Sequence, residues 1–381
     1  MPTLMSGSLT DCPFVISRQL ELTSRSPNLN ESRTLTVKAE TARVAAAPRA
    51  AAFEVLRSLR SAERVVLFYF MYLTLEAMVF PVSLAGRATV AILNLASSGV
   101  LMALSYFGRE KPASPDIRFG TYQDCAAPAT STVRALSEWG TLDNAPPSEL
   151  LRTIRDWFPA LVILLVYRES GMFYLPDPAH HLDYRFARLD TLILHNGWLL
   201  AVLNHGAPWL QRYLEFSYTL CYPLVPLGVG ALYVLRRWAR VRPAENFNFE
   251  SAIDQFWTAV LLALCACYAL WPFFPSTPPR VFFHDLPGPA VQPLFRKLNL
   301  WILGHYGIES SVFPSGHVAA VTAVCLSIRR HWPRGGVPFV IAAASVAVAT
   351  IIGRYHYAAD ALAGAFIGSM AFLISKAVHQ T

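Results

Sequence analysis

The sequence predicts an all-α, polytopic membrane helix bundle. Hydrophobic residues make up 54% of the 381-residue chain and charged residues 15%, against roughly 25% charged in an average soluble domain. Mean hydropathy is +0.36. The apolar residues also come in blocks: residues 256–275 and 337–353 carry no charge, and about twenty apolar residues cross a bilayer as a helix. A soluble enzyme, a fibrous chain, a disulfide scaffold and a wholly disordered chain are excluded as the main reading.

In chain order, residues 1–62 read as a disordered cytoplasmic tail, rich in Ser, Thr, Arg and Ala and without a helical apolar stripe. The tail also lacks the apolar core, roughly 7–15 residues, of a cleavable signal sequence. Candidate spans follow at about 65–84, 88–107, 156–174, 213–235, 255–275, 316–331, 337–355 and 359–377. The segment 186–211 is apolar but interrupted and reads as an interfacial or re-entrant helix. Residues 112–150 form a polar loop, and 276–314 a Pro-rich loop with several charges.

The net charge of +7 does not point to nucleic acid, because membrane proteins keep Lys and Arg in cytoplasmic loops. The cation clusters at 57–64, 236–242 and 329–334 all fall on one side of the predicted spans. That places both termini in the cytoplasm and the loops 275–316 and 354–359 on the extracytoplasmic face. The 6 cysteines form neither a CxxC pair nor a Cys/His spacing, so they indicate neither a disulfide framework nor zinc.

Three stretches carry chemistry-bearing side chains. Phe313-Pro314-Ser315-Gly316-His317 precedes an apolar run. Pro314 breaks any preceding helix, Ser315 is a good N-cap, and Gly316 permits close backbone approach. The free N–H groups of a helix start favour an anion beside His317. In Gly353-Arg354-Tyr355-His356-Tyr357-Ala358-Ala359-Asp360, His356 and Asp360 share a helix face. A carboxylate on one ring nitrogen fixes the tautomer and leaves the other nitrogen to attack, with Arg354 as a neighbouring cation. In Pro275-Ser276-Thr277-Pro278-Pro279-Arg280, prolines stiffen the approach to a guanidinium suited to bidentate phosphate grip. Taken singly, these stretches read equally as a helix cap, an interfacial His/Tyr girdle and a juxtamembrane turn. The hairpin of the sixth and seventh spans joins them, because it returns His356 to the membrane level of His317. Two histidines with arginines and no metal-ligand cluster suggest phosphoryl transfer through a phosphohistidine, the arginines stabilising the spread negative charge.

The pattern PPR…FPSGH…RYHYAAD resembles the type 2 phosphatidic acid phosphatase superfamily. Within it, the chain looks closest to the inositol-phosphotransferase-like branch, which includes the inositol phosphorylceramide synthases of sphingolipid metabolism. The resemblance covers about residues 155–377 and takes in Asp156-Trp157-Phe158-Pro159, Leu189-Asp190, and Glu215 with Tyr218 and Tyr222. It implies a six-helix catalytic domain over 155–377, to which the two spans in 65–107 are accessory, about eight transmembrane helices in all. It further implies His356 as nucleophile, Asp360 as its orienting partner, and His317 as acid and then base. Arg280 and Arg354 would hold phosphate oxygens, with the Ser315 hydroxyl and the Gly316 N–H completing the cradle and neither metal nor cofactor required. There are two departures from the broad superfamily: Thr350 stands where an Arg precedes the nucleophile, and no Lys precedes Arg280 in its loop. Both fit the inositol-type branch.

The expected function is that of a metal-independent phosphatase or phosphotransferase acting on a lipid phosphate or phosphodiester, possibilities that differ in whether water or an alcohol such as inositol is the acceptor. The bilayer is its setting, and no nucleic acid is involved. The alternative is a non-enzymatic transporter or lipid-binding membrane protein with a vestigial site. Apart from Glu215, the spans lack the midplane charges a transporter would show. Glu215 itself either touches substrate or bonds a tyrosine. His284-Asp285 and Arg296-Lys297 are candidates for lining the entrance to the site.

Overall fold

Helices α1 (Ser61–Val79), α2 (Leu84–Phe107) and α3 (Glu149–Ser170) lead into α4 (Asp183–Ile193), α5 (Pro208–Thr219) and α6 (Leu224–Val241). The chain continues through α7 (Phe249–Leu270), the short α8 (Pro279–Phe282), α9 (Leu294–Tyr306), α10 (Gly316–His331), α11 (Val337–Ile352) and α12 (Ala358–Val378). The structure is a computed structural model that describes residues 58–108, 149–175, 177–194, 208–241, 247–285, 293–308 and 311–380. No strand occurs among them, so the all-α class expected from the sequence is the class observed. The tail expected over 1–62 lies outside the described residues up to residue 57, as does nearly all of the 112–150 loop.

The central element is α7. Asn248 caps it, its Oδ1 accepting from the Ser251 N–H at 3.1 Å, and from Ala252 to Tyr268 nearly every side chain is buried. A helix that is apolar all round finds its minimum when surrounded by others. Against it lie α10 and α12, which cross with their backbones in contact. A Cβ at Gly364 would collide with the Ser315 carbonyl, and one at Gly368 with that of Ala319. Small residues at such a crossing let helices approach where lipid supplies no hydrophobic drive. This crossing sets the distance between the chain segments that open α10 and α12.

The two ends of the bundle differ in chemistry. At one end, the Asp254 carboxylate accepts from the Ser61 and Ala62 N–H groups at 3.0 and 2.9 Å and meets His379 Nε2 at 3.1 Å. There Arg155 pairs with Glu63 at 2.6 Å and Arg60 with Asp156 at 2.6 Å. The start of α1 is therefore fastened to α3 and α7 by charge, and the end of α12 to α7. Asp156 belongs to this structural network, at the end away from the histidines. The other end gathers the starts of α8, α10 and α12.

The expected spans are only partly reproduced as single long helices. Leu84–Phe107, Phe249–Phe273 and Ala358–Val378 are long and apolar enough to cross a bilayer. The predicted span 213–235 is two helices, α5 and α6, bent by 72°, and Pro223 at the break explains the interruption. At 16 residues each, α10 and α11 reach about 24 Å at 1.5 Å per residue, short of a core about 30 Å thick. The Pro-rich loop expected over 276–314 contains α9, which starts after Pro293 and ends before Gly307. Of the interrupted segment 186–211, residues 186–193 are helical within α4, and 195–207 lie outside the described residues.

Candidate active site

Each catalytic-type side chain sits where a helix begins or a turn closes. Ser315 is the N-cap of α10, its hydroxyl accepting from the Val318 N–H at 3.4 Å. Its own N–H donates to the Asp360 carbonyl at 3.1 Å, which ties the start of α10 to the first turn of α12. The N–H groups of Gly316 and His317 fall in the first turn of α10, where a helix offers no internal acceptor. At the end of α11, Arg354 takes a left-handed φ of 61°. The Thr350 carbonyl then accepts from the N–H groups of Tyr355 and His356 at 2.9 and 3.0 Å. That turn delivers His356 to the mouth of α12.

The two imidazoles meet with ring centroids 5.8 Å apart. His356 is 7% exposed. Its Nδ1 lies 3.1 Å from the Val312 carbonyl oxygen and 3.4 Å from Asp360 Oδ2. Asp360 Oδ2 also accepts from the Tyr357 N–H at 2.9 Å, so one carboxylate oxygen caps α12 and faces the histidine. Its Oδ1 is buried without a hydrogen-bond partner. Burial, reinforced by the Arg280 charge, pushes the His356 imidazole down to about 3. His356 is therefore a neutral base at physiological pH. The His317 ring is flanked by Tyr218 and Tyr222, with centroids at 5.8 and 5.9 Å.

Arg280 lies in the short α8, over the ring of Tyr355 at 5.5 Å and in electrostatic reach of both histidines. It forms no ion pair among the described residues. Arg354 is differently engaged. Its guanidinium donates to the carbonyls of Pro279, at 3.3 Å, and Phe283, while its own carbonyl accepts from the Arg280 N–H at 3.0 Å. The structure thus brings His317, His356, Asp360, Ser315, Gly316 and Arg280 together and sets the Arg354 side chain against the Arg280 turn. Among the described residues no group of three or more metal-ligating side chains occurs.

A second polar cluster lies behind the histidines. Glu215 Oε1 accepts from Arg296 Nη1 at 3.0 Å, and its Oε2 accepts from the Tyr355 phenol at 2.8 Å and from Asn299 Nδ2 at 3.1 Å. Of the two roles expected for Glu215, the bond to a tyrosine is the one observed. Arg296 also donates to the Gly353 carbonyl at 2.7 Å and is 5% exposed. It braces the His356 turn from beneath rather than lining an entrance. His284 and Asp285 are exposed and paired with each other at 3.1 Å.

Sequence reasoning missed the Val312 carbonyl, which no side-chain pattern could reveal. It noted Leu189-Asp190 without a role. In the structure Asp190 Oδ1 accepts from the Ala358 N–H at 2.7 Å, two residues past His356.

Fold and site define a class: a membrane helix bundle with a two-histidine centre flanked by an arginine that has no acidic partner among the described residues. Residues 186–374, a segment running from α4 into α12, match the family model of the PAP2 superfamily. The match includes every site residue named above and supports a phosphatase- or phosphotransferase-type function. It begins after Asp156, and so covers less than the 155–377 suggested by the motifs. No curated protein and no solved structure matches the chain.

Proposed function

We propose that this protein is an integral membrane phosphatase or phosphotransferase that cleaves a lipid phosphate or phosphodiester through a phosphohistidine at His356. The observation that carries the reading is the pairing of His317 and His356, 5.8 Å apart between ring centroids, with Arg280 beside both. A phosphate held by Arg280 completes that charge arrangement.

In the first half-reaction Nε2 of His356 attacks phosphorus and the P–O bond to the leaving alcohol breaks. His317, which takes up a proton as the anionic substrate binds, gives that proton to the leaving oxygen. The phosphorylated His356 ring is cationic, and the Val312 carbonyl and Asp360 carboxylate at Nδ1 stabilise that charge. In the second half-reaction His317 takes the proton of the acceptor hydroxyl. The acceptor oxygen bonds to phosphorus, the P–N bond breaks, and both histidines return to their starting states. Arg280, the Ser315 hydroxyl and the Gly316 N–H hold the phosphoryl oxygens as charge develops. Arg354 acts one step back, by holding the Arg280 turn.

The finer reading is transfer of an inositol-phosphate-type headgroup. It rests on the motif resemblance and on the two departures at Thr350 and before Arg280. The distribution of cations supports a site on the extracytoplasmic face with both termini in the cytoplasm.

The test is to incubate purified protein with labelled lipid phosphates and phosphodiesters, with and without inositol. The expected result is turnover of a lipid class that persists in excess chelator and is inhibited by vanadate, with label passing to inositol. Activity that disappears in chelator and returns with magnesium would contradict the mechanism. Product that forms equally without inositol would leave a phosphatase and remove the transferase reading.

A further inference from the structure

We infer that α4 is a clamp that sets the three catalytic loops against one another, and that Asp190 is a positioning residue for the nucleophile. The inference rests on the phosphohistidine reading above.

One face of α4 carries Asp183, Phe186, Ala187 and Asp190, at the three- and four-residue spacing that lines up side chains on a helix. This face reaches all three loops. Toward the loop that carries Arg280, Asp183 accepts from Thr277 twice, Oδ1 from the N–H at 2.7 Å and Oδ2 from the hydroxyl at 2.9 Å. Just before α4, the Leu182 N–H donates to the Pro275 carbonyl at 2.9 Å. Toward the loop that carries His317, the Phe186 ring stacks on Phe313 at 4.7 Å. Toward the loop that carries His356, Phe186 stacks on Tyr357 at 5.8 Å and Asp190 accepts from the Ala358 N–H.

The Asp190 contact is specific in its consequence. Ala358 opens α12, and the first N–H groups of a helix have no internal acceptor. Asp360 satisfies the Tyr357 N–H from within α12, and Asp190 satisfies the next N–H from a separate element. A negative side chain at this position also favours the positive end of the helix dipole. The backbone that follows His356 is thereby held from two sides, and with it the line of attack of Nε2. Asp190 touches neither substrate nor imidazole, so it acts through Ala358. Displacing reacting groups by about 1 Å can cost about a hundredfold in rate.

The clamp also divides labour. Asp183 holds the loop of the phosphate-gripping Arg280, whereas Asp190 holds the loop of the nucleophile. A general loss of structure would affect both steps alike, but the clamp predicts a split. With nitrophenyl phosphate as probe, Asp190→Ala should lower kcat by about tenfold to a hundredfold while KM stays within about twofold. Asp183→Ala should mainly raise KM. Asp190→Asn, whose amide oxygen still accepts from Ala358, should recover most of the lost kcat. If the alanine variant does not accumulate, Asp190→Glu keeps the charge but moves the oxygens by one methylene, and should lower kcat without raising KM.

Full activity in Asp190→Ala or Asp190→Glu overturns the clamp. So does an equal change of kcat and KM in both the Asp183 and Asp190 variants. His356→Ala, measured alongside, separates the two levels of the argument. If it is inactive, the results on Asp190 judge the clamp alone. If it turns over, the phosphohistidine reading fails first.

Discussion

The Val312 carbonyl oxygen lies 3.1 Å from Nδ1 of His356. A carbonyl can only accept, so Nδ1 carries the proton and Nε2 the lone pair. The backbone thus selects the tautomer, a task the sequence motif alone would assign to Asp360. The carboxylate at 3.4 Å is then placed to stabilise the ring once it becomes cationic.

The neutral state of His356 has a pH signature. Its folded pKa is lowered to about 3 by burial and by Arg280, below the unfolded value of about 6.5. The unfolded chain therefore binds this proton more readily, and stability is lost as pH falls through about 6.5. Phosphoenzyme formation from nitrophenyl phosphate, which needs little help from an acid, should hold constant from about pH 7 to about pH 5. Single-turnover rapid mixing measures this, and a decline centred near pH 6.5 would show that the nucleophile titrates normally. Acid should also lower the melting temperature less in His356→Gln than in the wild type.

The contact between α10 and α12 predicts a steric effect. Gly364→Ala and Gly368→Ala place a methyl group against the Ser315 and Ala319 carbonyls, an overpacking that costs about 1–3 kcal/mol. Because that crossing carries His317 and His356 at its ends, activity should fall with stability. Gly230→Ala, with nothing within 4 Å of the added carbon, is the control and should behave as wild type. Thermal unfolding and turnover of the three variants check this.

The predicted orientation can be read with single cysteines in a background lacking Cys12 and Cys125. Cys221, Cys265, Cys267 and Cys325 are buried. His284, with a side chain 75% exposed, lies beyond α8 at the histidine end, and Arg334 is exposed in the turn after α10. His284→Cys should react with an impermeant thiol reagent on intact cells, and Arg334→Cys only after permeabilisation. The opposite pattern would place the site in the cytoplasm.

Much of this site is legible because its chemistry is local in sequence. Pro314, Ser315 and Gly316 announce a helix start, and His356 with Asp360 announces a helical pair. What escaped is what depends on distant chain segments. Glu215 finds Arg296 and Asn299 only because α5 and α9 pack together. Arg354 has the composition of a phosphate ligand, and only the structure sets its guanidinium on the carbonyls of Pro279 and Phe283. Pro223 stands at the break between α5 and α6, but the apolar run around it is long enough to read as one span. Prolines and charges masked α9, although Pro293 and Gly307 bracket it in the sequence.

Asp360 makes two contacts, with the Tyr357 N–H and with His356 Nδ1, that substitution can separate. Asp360→Asn keeps an oxygen for the Tyr357 N–H but loses the charge opposite the imidazole, so turnover should fall while the melting temperature changes little. Asp360→Ala loses both and should be less stable by about 1 kcal/mol, the usual value of a helix cap. Equal activity of the aspartate and asparagine forms would remove the carboxylate from the mechanism.

The central claim is that His356 carries the phosphoryl group and His317 the proton, and trapping of the phosphoenzyme on an activated substrate tests it most directly. With labelled nitrophenyl phosphate, His356→Ala should give no acid-labile phosphoenzyme. His317→Ala should still form it while losing most turnover of a lipid phosphate, whose leaving alcohol needs the proton. A phosphoenzyme that persists in His356→Ala and vanishes in His317→Ala would contradict the account and exchange the two roles.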